Sequence, residues 1–341
     1  MRVARYYDNR DIRIEEMPVP KVGPGELLVR IEASGICGSD VMEWYRIKKA
    51  PLVLGHEISG DVVEAGDGVD QFKEGARVVV THHVPCNTCR YCLKGQFSVC
   101  DTLRTTNFIP GGFSEFVKVP AINTDRGTFL LPDELSYDDG TFVEPLACVL
   151  RGLRTAGFQP GQNILVIGSG ISGLLNIQTA CALGAGKVAA VDINDYRISA
   201  AKRFGAGLAM NADEDITGCL REYNGGFLAD LVIICAGSSS AIEQGLRSVE
   251  RGGTVLFFAP TEPDISIPLP MWDIWRDGIK MTTSYAGAPC DLIQAIELIK
   301  AGRVNVGDMV THRLGLQETA KGFHLVATAA DSIKVIIYPQ Q

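Results

Sequence analysis

The sequence predicts an α/β protein in which a β-rich domain is joined to a domain with a doubly wound parallel sheet. The chain has 341 residues, which is more than a single hydrophobic core usually organises, so its length favours about two domains. Residues 26–120 contain short alternating apolar runs separated by glycine and proline, a pattern typical of strands in a barrel-like region. From about residue 160 onward, apolar strands alternate with helical segments, which predicts a parallel sheet covered by helices.

The β-rich region and the doubly wound region correspond to two expected domains. We expect the β-rich domain to comprise residues 1–148 and 285–341, with the doubly wound domain at residues 149–284 between them. Near the C-terminus an amphipathic helix is followed by the apolar segment IKVII, and we expect these elements to return to the first domain.

The composition argues against several classes of partner. A formal net charge of −8 gives the protein no general attraction to nucleic acid or to an anionic membrane. The N-terminus lacks the apolar core of a secretion signal, and no apolar run approaches the length of a membrane span. We therefore expect a cytoplasmic protein that binds neither nucleic acid nor membrane. Ten cysteines in a large chain of this kind favour metal sites or buried thiols over disulfides.

The segment NILVIGSGISG predicts a dinucleotide-binding turn. Gly168, Gly170 and Gly173 have the G-x-G-x-x-G spacing, directly after an apolar strand and directly before a helical pattern. The first glycine permits a tight turn, the second lets the backbone approach a pyrophosphate, and the third allows close helix–strand packing. Ile171 and Ser172 lie where the helix begins, and its N-terminus would face the phosphates. An ordinary strand-to-helix turn is the alternative interpretation.

Asp192 ends the next predicted strand and bears on the choice of cofactor. A carboxylate there can accept hydrogen bonds from both hydroxyls of an adenosine ribose and repels a 2′-phosphate, which favours NAD over NADP. Arg197 follows on the next helical segment and could pair with a phosphate. A solvated helix residue, or one stacked near the adenine, is the alternative for Arg197, and a plain helix cap is the alternative for Asp192.

A cysteine-rich polar loop has the spacing C-x2-C-x2-C-x7-C. Its cysteines are Cys86, Cys89, Cys92 and Cys100. Thiolates this close in sequence can surround one Zn²⁺ tetrahedrally and leave no position for substrate, which predicts a structural zinc lobe at about residues 84–103. An iron–sulfur cluster, free thiols and a nucleic-acid-binding zinc ribbon are the alternatives. The acidic charge and the dinucleotide motif downstream argue against the last of these.

A second metal site can be assembled from residues far apart in the chain. Cys37 lies in GICGSD, His56 and Glu57 lie in LGHEISG, and Glu144 lies in FVEPLAC. A thiolate, an imidazole and a carboxylate make an open zinc site that keeps one position for water or an alcohol. Taken singly, each residue has a simpler interpretation, since a lone cysteine usually belongs to the core. Only the combination predicts a metal site.

Together these motifs resemble the zinc-dependent medium-chain alcohol dehydrogenase family, in particular the sorbitol and other polyol dehydrogenases and threonine dehydrogenase. The resemblance extends over essentially the whole chain, from GICGSD through the cysteine lobe and the glycine motif to the terminal IKVII. It implies a GroES-like catalytic domain, a Rossmann domain for NAD, and about two zinc ions per subunit, one catalytic and one structural.

The resemblance also implies roles for individual residues. Cys37 and His56 match the catalytic zinc ligands, and Glu57 matches the glutamate that joins them in polyol dehydrogenases. Glu144 matches an additional acidic ligand or exchange partner of the metal, and which glutamate binds directly stays open. Asp40 matches the carboxylate that receives the ring N–H of the ligating histidine, with an Asx-turn acid as its simpler interpretation. The lobe cysteines match the structural zinc ligands.

Proton release is the step at which this chain departs from the family pattern. Ser39 matches the hydroxyl that takes the proton from the alcohol, and a turn hydroxyl bonded to local backbone is its alternative role. Many relatives carry a histidine where this chain has Met42, and a methionine side chain cannot carry a proton. Either water or another group, such as Glu43, would complete the route, or proton release would be slower at low pH.

The substrate pocket is less well specified by the sequence. Tyr45, Phe108 and Tyr285 are candidates by family position, and each could instead be plain packing. His82 and His83 lie on a predicted strand before the cysteine lobe, where alternation would send them to opposite faces.

The activity that the resemblance implies is reversible NAD-linked oxidation of a secondary alcohol, such as a polyol, cyclitol or sugar derivative, to a ketone by hydride transfer. L-Threonine 3-dehydrogenase is the alternative within the family, and a non-catalytic zinc- and NAD-binding sensor is the alternative from another class. The apolar segment SIPLPMWDIW lies where family members often associate, which favours a homo-oligomer, a tetramer more than a dimer.

Overall fold

The computed structural model describes residues 1–329 and 331–341, and the chain divides into two compact units. The first unit comprises Met1–Ala147, Ala286–Gly302 and Val306–Gln341. The second unit comprises Cys148–Tyr285 and the short segment Arg303–Asn305.

Strands dominate the first unit, whereas strands and helices alternate in the second. The strands, in chain order, are β1 (Arg2–Asp8), β2 (Asp11–Glu16), β3 (Leu27–Gly35), β4 (Leu52–Val53), β5 (Glu57–Ala65), β6 (Arg77–Val80), β7 (Phe116–Val119), β8 (Thr128–Leu130), β9 (Asn163–Ile167), β10 (Lys187–Asp192), β11 (Leu208–Asn211), β12 (Ala229–Ile234), β13 (Val249–Phe257), β14 (Lys280–Thr283), β15 (Val310–Gly315) and β16 (Lys334–Tyr338). The α-helices are α1 (Glu43–Arg46), α2 (Asp101–Thr105), α3 (Ala121–Gly127), α4 (Tyr137–Gly140), α5 (Val143–Thr155), α6 (Ile171–Ala182), α7 (Asp195–Arg203), α8 (Ile216–Tyr223), α9 (Ser239–Ser248), α10 (Met271–Arg276), α11 (Pro289–Lys300) and α12 (Thr319–Thr328). Short 3₁₀ turns occur at Ile47–Lys49, Cys92–Lys94, Phe97–Val99, Gly307–Met309 and Leu316–Glu318. Within the described residues, no helix combines the length and apolar character needed to cross a bilayer.

The main sheet of the first unit joins strands from both ends of the chain. In the described residues its order is β15, β16, β3, β5, β6 and β8, with β7 paired to β3, and a smaller sheet has the order β2, β1 and β4. The alternation in LLVRIEA is explained by a core on one face of β3, where Val29 and Ile31 are fully buried. Ile336 of β16 pairs with Gly35 of β3, and Gly35 pairs in turn with Glu57 of β5. The C-terminal strand is therefore separated from β5 only by β3.

The second unit contains a parallel sheet of the doubly wound type. Its order among the described strands is β11, β10, β9, β12, β13 and β14, which is 3-2-1-4-5-6 when the strands are numbered from β9. Its paired strands all run parallel. Strands β9, β10 and β12 are nearly continuous buried apolar runs, as expected for a sheet covered on both faces. The strand order reverses between β9 and β12, and their carboxyl ends are where such sheets bind ligands. The predicted fold class is confirmed.

Candidate metal and cofactor sites

Three predicted ligands of the open metal site lie together in the first unit. Cys37 follows β3, His56 directly precedes β5, and Glu57 is the first residue of β5. One potential ligand atom of each residue lies within 4.8 Å of those of the other two. They meet because β3 and β5 are antiparallel neighbours, so the end of one strand lies beside the start of the other. This donor set suits Zn²⁺, which accepts sulfur, imidazole and carboxylate ligands and can keep a fourth position for substrate.

Asp40 supports these ligands from a fully buried position. Its carboxylate accepts the backbone N–H of Cys37 at 3.0 Å and lies 3.4 Å from Nδ1 of His56. Because Nδ1 faces Asp40, Nε2 of the ring is left for a metal. Burial opposes the charged form of each group, but their attraction holds the pKa of Asp40 below its usual value and the pKa of His56 well above its own. An ionised carboxylate that faces the ring N–H is the arrangement expected behind a metal-bound histidine.

Glu57 has a buried partner that the sequence analysis did not identify. Lys334 of β16 forms an ion pair with Oε2 of Glu57, and both side chains are completely buried. The ammonium group also lies 3.5 Å from the carbonyl oxygen of Thr141 and 5.0 Å from the ring centroid of Phe142. The other carboxylate oxygen, Oε1, is buried without a hydrogen-bond partner. Because an unpartnered buried carboxylate oxygen is costly, Oε1 fits the role of a metal ligand beside the thiolate and the imidazole.

Gly35 makes this ion pair possible. Lys334 and Glu57 lie on the two strands that flank β3, and their side chains meet at Gly35. A Cβ atom at Gly35 would overlap both Nζ of Lys334 and Oε2 of Glu57. The lysine within the apolar segment IKVII is the sequence signal for such a pair, since lysine is almost never fully buried unless it is paired.

Glu144 lies outside this group of ligand atoms. It is the second residue of α5, and its side chain is half-buried in the first turn of that helix. Across residues 1–329 and 331–341, the group that contains Cys37 within the 4.8 Å limit has only His56 and Glu57 as further members. Of the two glutamates that the sequence left open, the geometry favours Glu57 as the direct ligand.

Ser39 lies beside the thiolate ligand, and an arginine contacts it. Its backbone N–H points at Sγ of Cys37, at 3.5 Å. Arg46, the last residue of α1, donates from Nη2 to Oγ of Ser39 at 3.0 Å and from Nε to the Ser39 carbonyl oxygen at 2.9 Å. The same Nη2 lies 3.4 Å from Oδ1 of Asp40. Met42 caps the start of α1 and offers no group that carries a proton. No sequence pattern singled out Arg46, because its role depends on how the turn after β3 folds back onto α1.

The prediction that His82 and His83 face opposite sides of a strand is wrong. Strand β6 ends at Val80, so the alternation of a strand does not reach the two histidines. Their ring centroids are 3.6 Å apart, and the His82 ring lies 4.7 Å from the ring of His56. Burial lowers the pKa of His83 to about 3 and lowers the pKa of His82 well below its usual value. Both rings are therefore neutral at physiological pH.

The aromatic pocket candidates occupy different environments. Phe108 is 2% exposed and belongs to the core of the main sheet, so its environment is that of a packing residue. Tyr45 is 38% exposed, and the guanidinium of Arg46 lies 4.8 Å from its ring centroid. Tyr285 is 45% exposed at the end of a segment of the second unit.

The lobe cysteines form the second metal-binding group. One sulfur atom from each of Cys86, Cys89, Cys92 and Cys100 lies within 4.8 Å of the others, and no disulfide joins any of them. The sulfurs of Cys86 and Cys92 are 3.9 Å apart, and those of Cys89 and Cys92 are 3.5 Å apart. A tetrahedron with Zn–S bonds of about 2.3 Å has sulfur–sulfur distances of ~3.8 Å, which these spacings approach. Because sulfur would complete the coordination shell, the group suits a structural zinc ion.

The glycine motif lies in the turn between β9 and α6. Gly168 has a φ of +92°, a conformation that glycine adopts without strain. A Cβ atom at Gly173 would overlap the carbonyl oxygen of Gly168, so helix and strand can approach this closely only with glycine there. Gly170 caps α6, and Ile171 and Ser172 begin it. The first N–H groups of a helix have no partner inside the helix, so this turn suits a pyrophosphate.

Asp192 and Arg197 flank the same turn. Oδ2 of Asp192 accepts the N–H of Ser169 at 2.6 Å, and Oδ1 accepts the N–H of Asn194 at 3.0 Å. Each carboxylate oxygen keeps a second lone pair that could accept a ribose hydroxyl. The Arg197 guanidinium lies 3.7 Å from the position of a Cβ atom at Gly170, and its Nε is buried without a partner. Arg197 is therefore partly buried, and its guanidinium lies beside the glycine turn.

Two family models match the chain. The model for the alcohol dehydrogenase GroES-like domain matches residues 23–128, and the model for zinc-binding dehydrogenase matches residues 172–301. The first range contains the open site and the cysteine lobe, whereas the second contains Asp192 and Arg197.

Known proteins are similar to the chain over nearly its whole length. The chain is 30% identical to sorbitol dehydrogenase of Bacillus subtilis (strain 168), over 100% of this chain and 98% of that protein. It is 32% identical to L-threonine 3-dehydrogenase of Bacillus velezensis, over 96% of this chain and 95% of that protein. A solved structure from Sinorhizobium meliloti 1021, bound to NADP, superposes with a TM-score of 0.88 at 28% identity, over 99% of each chain. The chain therefore belongs to the zinc-dependent medium-chain alcohol dehydrogenase family and is a zinc-dependent, nicotinamide-linked oxidoreductase of alcohols.

Proposed function

We propose that the protein catalyses reversible NAD-linked oxidation of a secondary alcohol to a ketone, with a polyol, cyclitol or sugar derivative as substrate. The observation that carries this proposal is the grouping of Cys37, His56 and Glu57, whose ligand atoms lie within 4.8 Å of one another. One sulfur, one nitrogen and one oxygen donor leave room in a zinc coordination shell for a substrate oxygen. Similarity to sorbitol dehydrogenase of B. subtilis supports the polyol class.

The side chains of the open site divide the chemistry between them. Zinc held there would polarise the substrate hydroxyl and favour loss of its proton. Asp40 keeps His56 in the tautomer that presents Nε2 to the metal. Lys334 offsets the charge of Glu57, because the two side chains form a buried ion pair. The Ser39 hydroxyl would take the alcohol proton, and a nicotinamide cofactor, when bound, would supply the hydride acceptor.

A panel of alcohols tests this function. Zinc-replete protein is mixed with NAD and, in separate reactions, with polyols, cyclitols, sugar alcohol phosphates and L-threonine, and NADH absorbance is followed. We expect turnover of at least one polyol or cyclitol, and the Asp40→Ala variant serves as the control for dependence on this site. Turnover of threonine alone would contradict the proposed substrate class and support the second candidate, which the 32% identity to L-threonine 3-dehydrogenase favours. No turnover of any alcohol would contradict catalysis and support a zinc- and NAD-binding sensor.

The cofactor we propose is NAD in preference to NADP. The Asp192 carboxylate lies at the glycine turn, where a 2′-phosphate would meet its negative charge. Arg197 lies at the same turn, and its guanidinium favours NADP because it can pair with a 2′-phosphate. The ratio of kcat/KM for NAD to kcat/KM for NADP measures which of the two side chains decides the cofactor preference. A ratio below one would contradict the proposal.

We further propose that the protein assembles as a homo-oligomer, a tetramer, through the second unit. Helix α10 exposes a cluster of large apolar side chains, with Met271 58%, Trp272 64% and Trp275 73% exposed. Strand β14 is last in the order of the described parallel sheet, so it offers an edge for pairing. Exposed apolar surface beside an open edge favours self-association. Light scattering should give the tetramer mass for the wild type and a lower mass for Trp272→Glu, and a monomeric wild type would contradict the proposal.

A cytoplasmic location is part of the same proposal. None of the ten cysteines is joined in a disulfide, which suits a reducing compartment. Fractionation of cells that express the tagged protein tests this, and recovery outside the cytoplasmic fraction would contradict it.

A further inference from the structure

Arg46 is a largely buried cation at the edge of the open metal site. Its side chain is 14% exposed, and its guanidinium carbon lies 4.8 Å from the ring centroid of Tyr45. Nη2 donates to Oγ of Ser39 at 3.0 Å, and Nε donates to the carbonyl oxygen of the same residue at 2.9 Å. The arginine therefore fixes both the hydroxyl and the backbone of the serine that follows the thiolate ligand Cys37 by two positions.

The chemistry of the two groups determines how the hydroxyl is used. A serine hydroxyl has one hydrogen to donate and two lone pairs that accept, whereas an arginine can only donate. The bond from Arg46 therefore occupies one lone pair of Ser39 Oγ, and the hydroxyl hydrogen cannot point at the guanidinium. One acceptor position and one donor position remain, and these are the positions that a hydroxyl needs to receive one proton and release another.

We propose that Arg46 is a positioning residue for proton release, which holds the Ser39 hydroxyl so that it accepts the alcohol proton while it passes its own proton onward. The inference rests on the proposed oxidation of an alcohol. In this step the alcohol O–H bond breaks and a new O–H bond forms at Ser39 Oγ, while the original Ser39 proton leaves to water. The carbinol hydrogen leaves with two electrons to NAD, so the products are a ketone, NADH and one proton. Ser39 and Arg46 end the step unchanged.

Arg46 also contacts Asp40, and this contact could affect the rate independently of Ser39. Its Nη2 also lies 3.4 Å from Oδ1 of Asp40, the oxygen that faces Nδ1 of His56. Loss of the guanidinium could therefore act through the metal ligand instead of through the hydroxyl. Removal of the Ser39 hydroxyl abolishes only the effect that passes through Ser39, so a double-mutant cycle distinguishes the two.

The cycle comprises the wild type, Ser39→Ala, Arg46→Met and the double variant, with Lys48→Met as the matched control. Lys48 is an exposed cation in the turn that follows α1, so its replacement makes the same change of charge on the same segment. Single-turnover formation of NADH, with enzyme in excess over the alcohol found by the panel, measures slow variants as well as fast ones. Zinc content is measured on each protein, and Arg46→Lys tests whether a charged donor restores the rate.

Loss of a hydrogen bond from a charged donor predicts that Arg46→Met is roughly 10- to 100-fold slower than the wild type, with unchanged zinc content. In the Ser39→Ala background the same replacement should change the rate less than about twofold, and Lys48→Met should match the wild type within about twofold. Arg46→Lys should recover part of the rate. Equal losses in both backgrounds, a wild-type rate for Arg46→Met, or a loss of zinc in both Arg46 variants would each overturn the proposal. A wild type that oxidises no alcohol would overturn the proposed function together with this inference, whereas an active wild type with additive losses contradicts the inference alone.

Discussion

Replacing Lys334 by methionine leaves the Glu57 carboxylate buried without its cation. Both side chains are completely inaccessible to solvent, so water cannot take the place of the ammonium group. Methionine is nearly the same length and apolar, and it fills the space beside Phe142 where the ammonium now lies 5.0 Å from the ring centroid. The perturbation is therefore a loss of charge with little loss of packing.

The burial of the ion pair determines how much unfolding free energy Lys334→Met should cost. Removing one partner of a buried ion pair costs about 3–5 kcal/mol of unfolding free energy, because the remaining charge is uncompensated. A bound zinc ion would still face Oε1, the carboxylate oxygen of Glu57 that has no other partner. A charge-assisted contact between zinc and this oxygen contributes about 1.5–3 kcal/mol. We therefore expect Lys334→Met to lower the unfolding free energy of zinc-loaded protein by about 1.5–3 kcal/mol less than that of metal-free protein.

Tryptophan fluorescence during urea unfolding measures this cost in the first unit. Trp44 belongs to the first unit, whereas the two exposed residues Trp272 and Trp275 belong to the second and can be replaced by phenylalanine. The double variant Glu57→Gln/Lys334→Met is the control, because it removes both charges and should cost less than Lys334→Met alone. Three results would contradict an uncompensated Glu57 charge. They are an unfolding cost below about 1 kcal/mol for Lys334→Met, the same cost with and without zinc, and a cost for the double variant equal to the sum of the two single variants.

Three further predictions concern the cysteine lobe, the cofactor turn and the neutral histidines. Cys100→Ser should lower the zinc content by one ion per chain and the thermal unfolding midpoint by several degrees. Its rate at 25 °C should stay within a fewfold of the wild-type rate. A large loss of rate without loss of stability would contradict a structural role for the lobe. Asp192→Ala should raise kcat/KM for NADP relative to NAD by about tenfold or more, and an unchanged ratio would mean that the carboxylate does not meet the ribose. Because burial lowers the pKa of His83 from 6.5 to about 3, protonation favours the unfolded chain as pH falls below 6.5. His83→Gln should therefore lose about 1–2 kcal/mol less unfolding free energy than the wild type between pH 7 and pH 5, and equal losses would show that His83 is not held neutral.

Features that depend on neighbours in sequence could be predicted from the sequence. The glycine turn requires a positive φ at Gly168 and no side chain at Gly173, and both requirements are local to one strand and one helix. The sulfur atoms of the lobe cysteines converge because a short loop closes easily around a small ion. Patterning of apolar residues likewise predicted the β-rich unit and the parallel sheet, since alternation and continuous apolar runs report which faces of a strand are buried.

Features that depend on strand order and on the exact ends of strands could not be predicted in this way. Lys334 reaches Glu57 because β16 pairs with β3, and no local pattern specifies that β16 takes that edge. Arg46 contacts Ser39 because a one-turn helix folds back on the metal-binding turn. The wrong expectation for His82 and His83 came from extending β6 by three residues beyond Val80. Strand ends are decided by pairing partners that the sequence does not display.

The role of Cys37 as a ligand of the catalytic metal is measured by comparing two rates of NADH formation on the same alcohol, that of the Cys37→Ala variant prepared with zinc and that of the wild type. The wild type should oxidise the alcohol and hold about two zinc ions per chain. The variant should keep its fold and about one zinc ion, and its rate should fall by at least roughly 10³-fold. A Cys37→Ala variant that forms NADH at the wild-type rate would contradict the claim that Cys37, His56 and Glu57 together form the catalytic metal site.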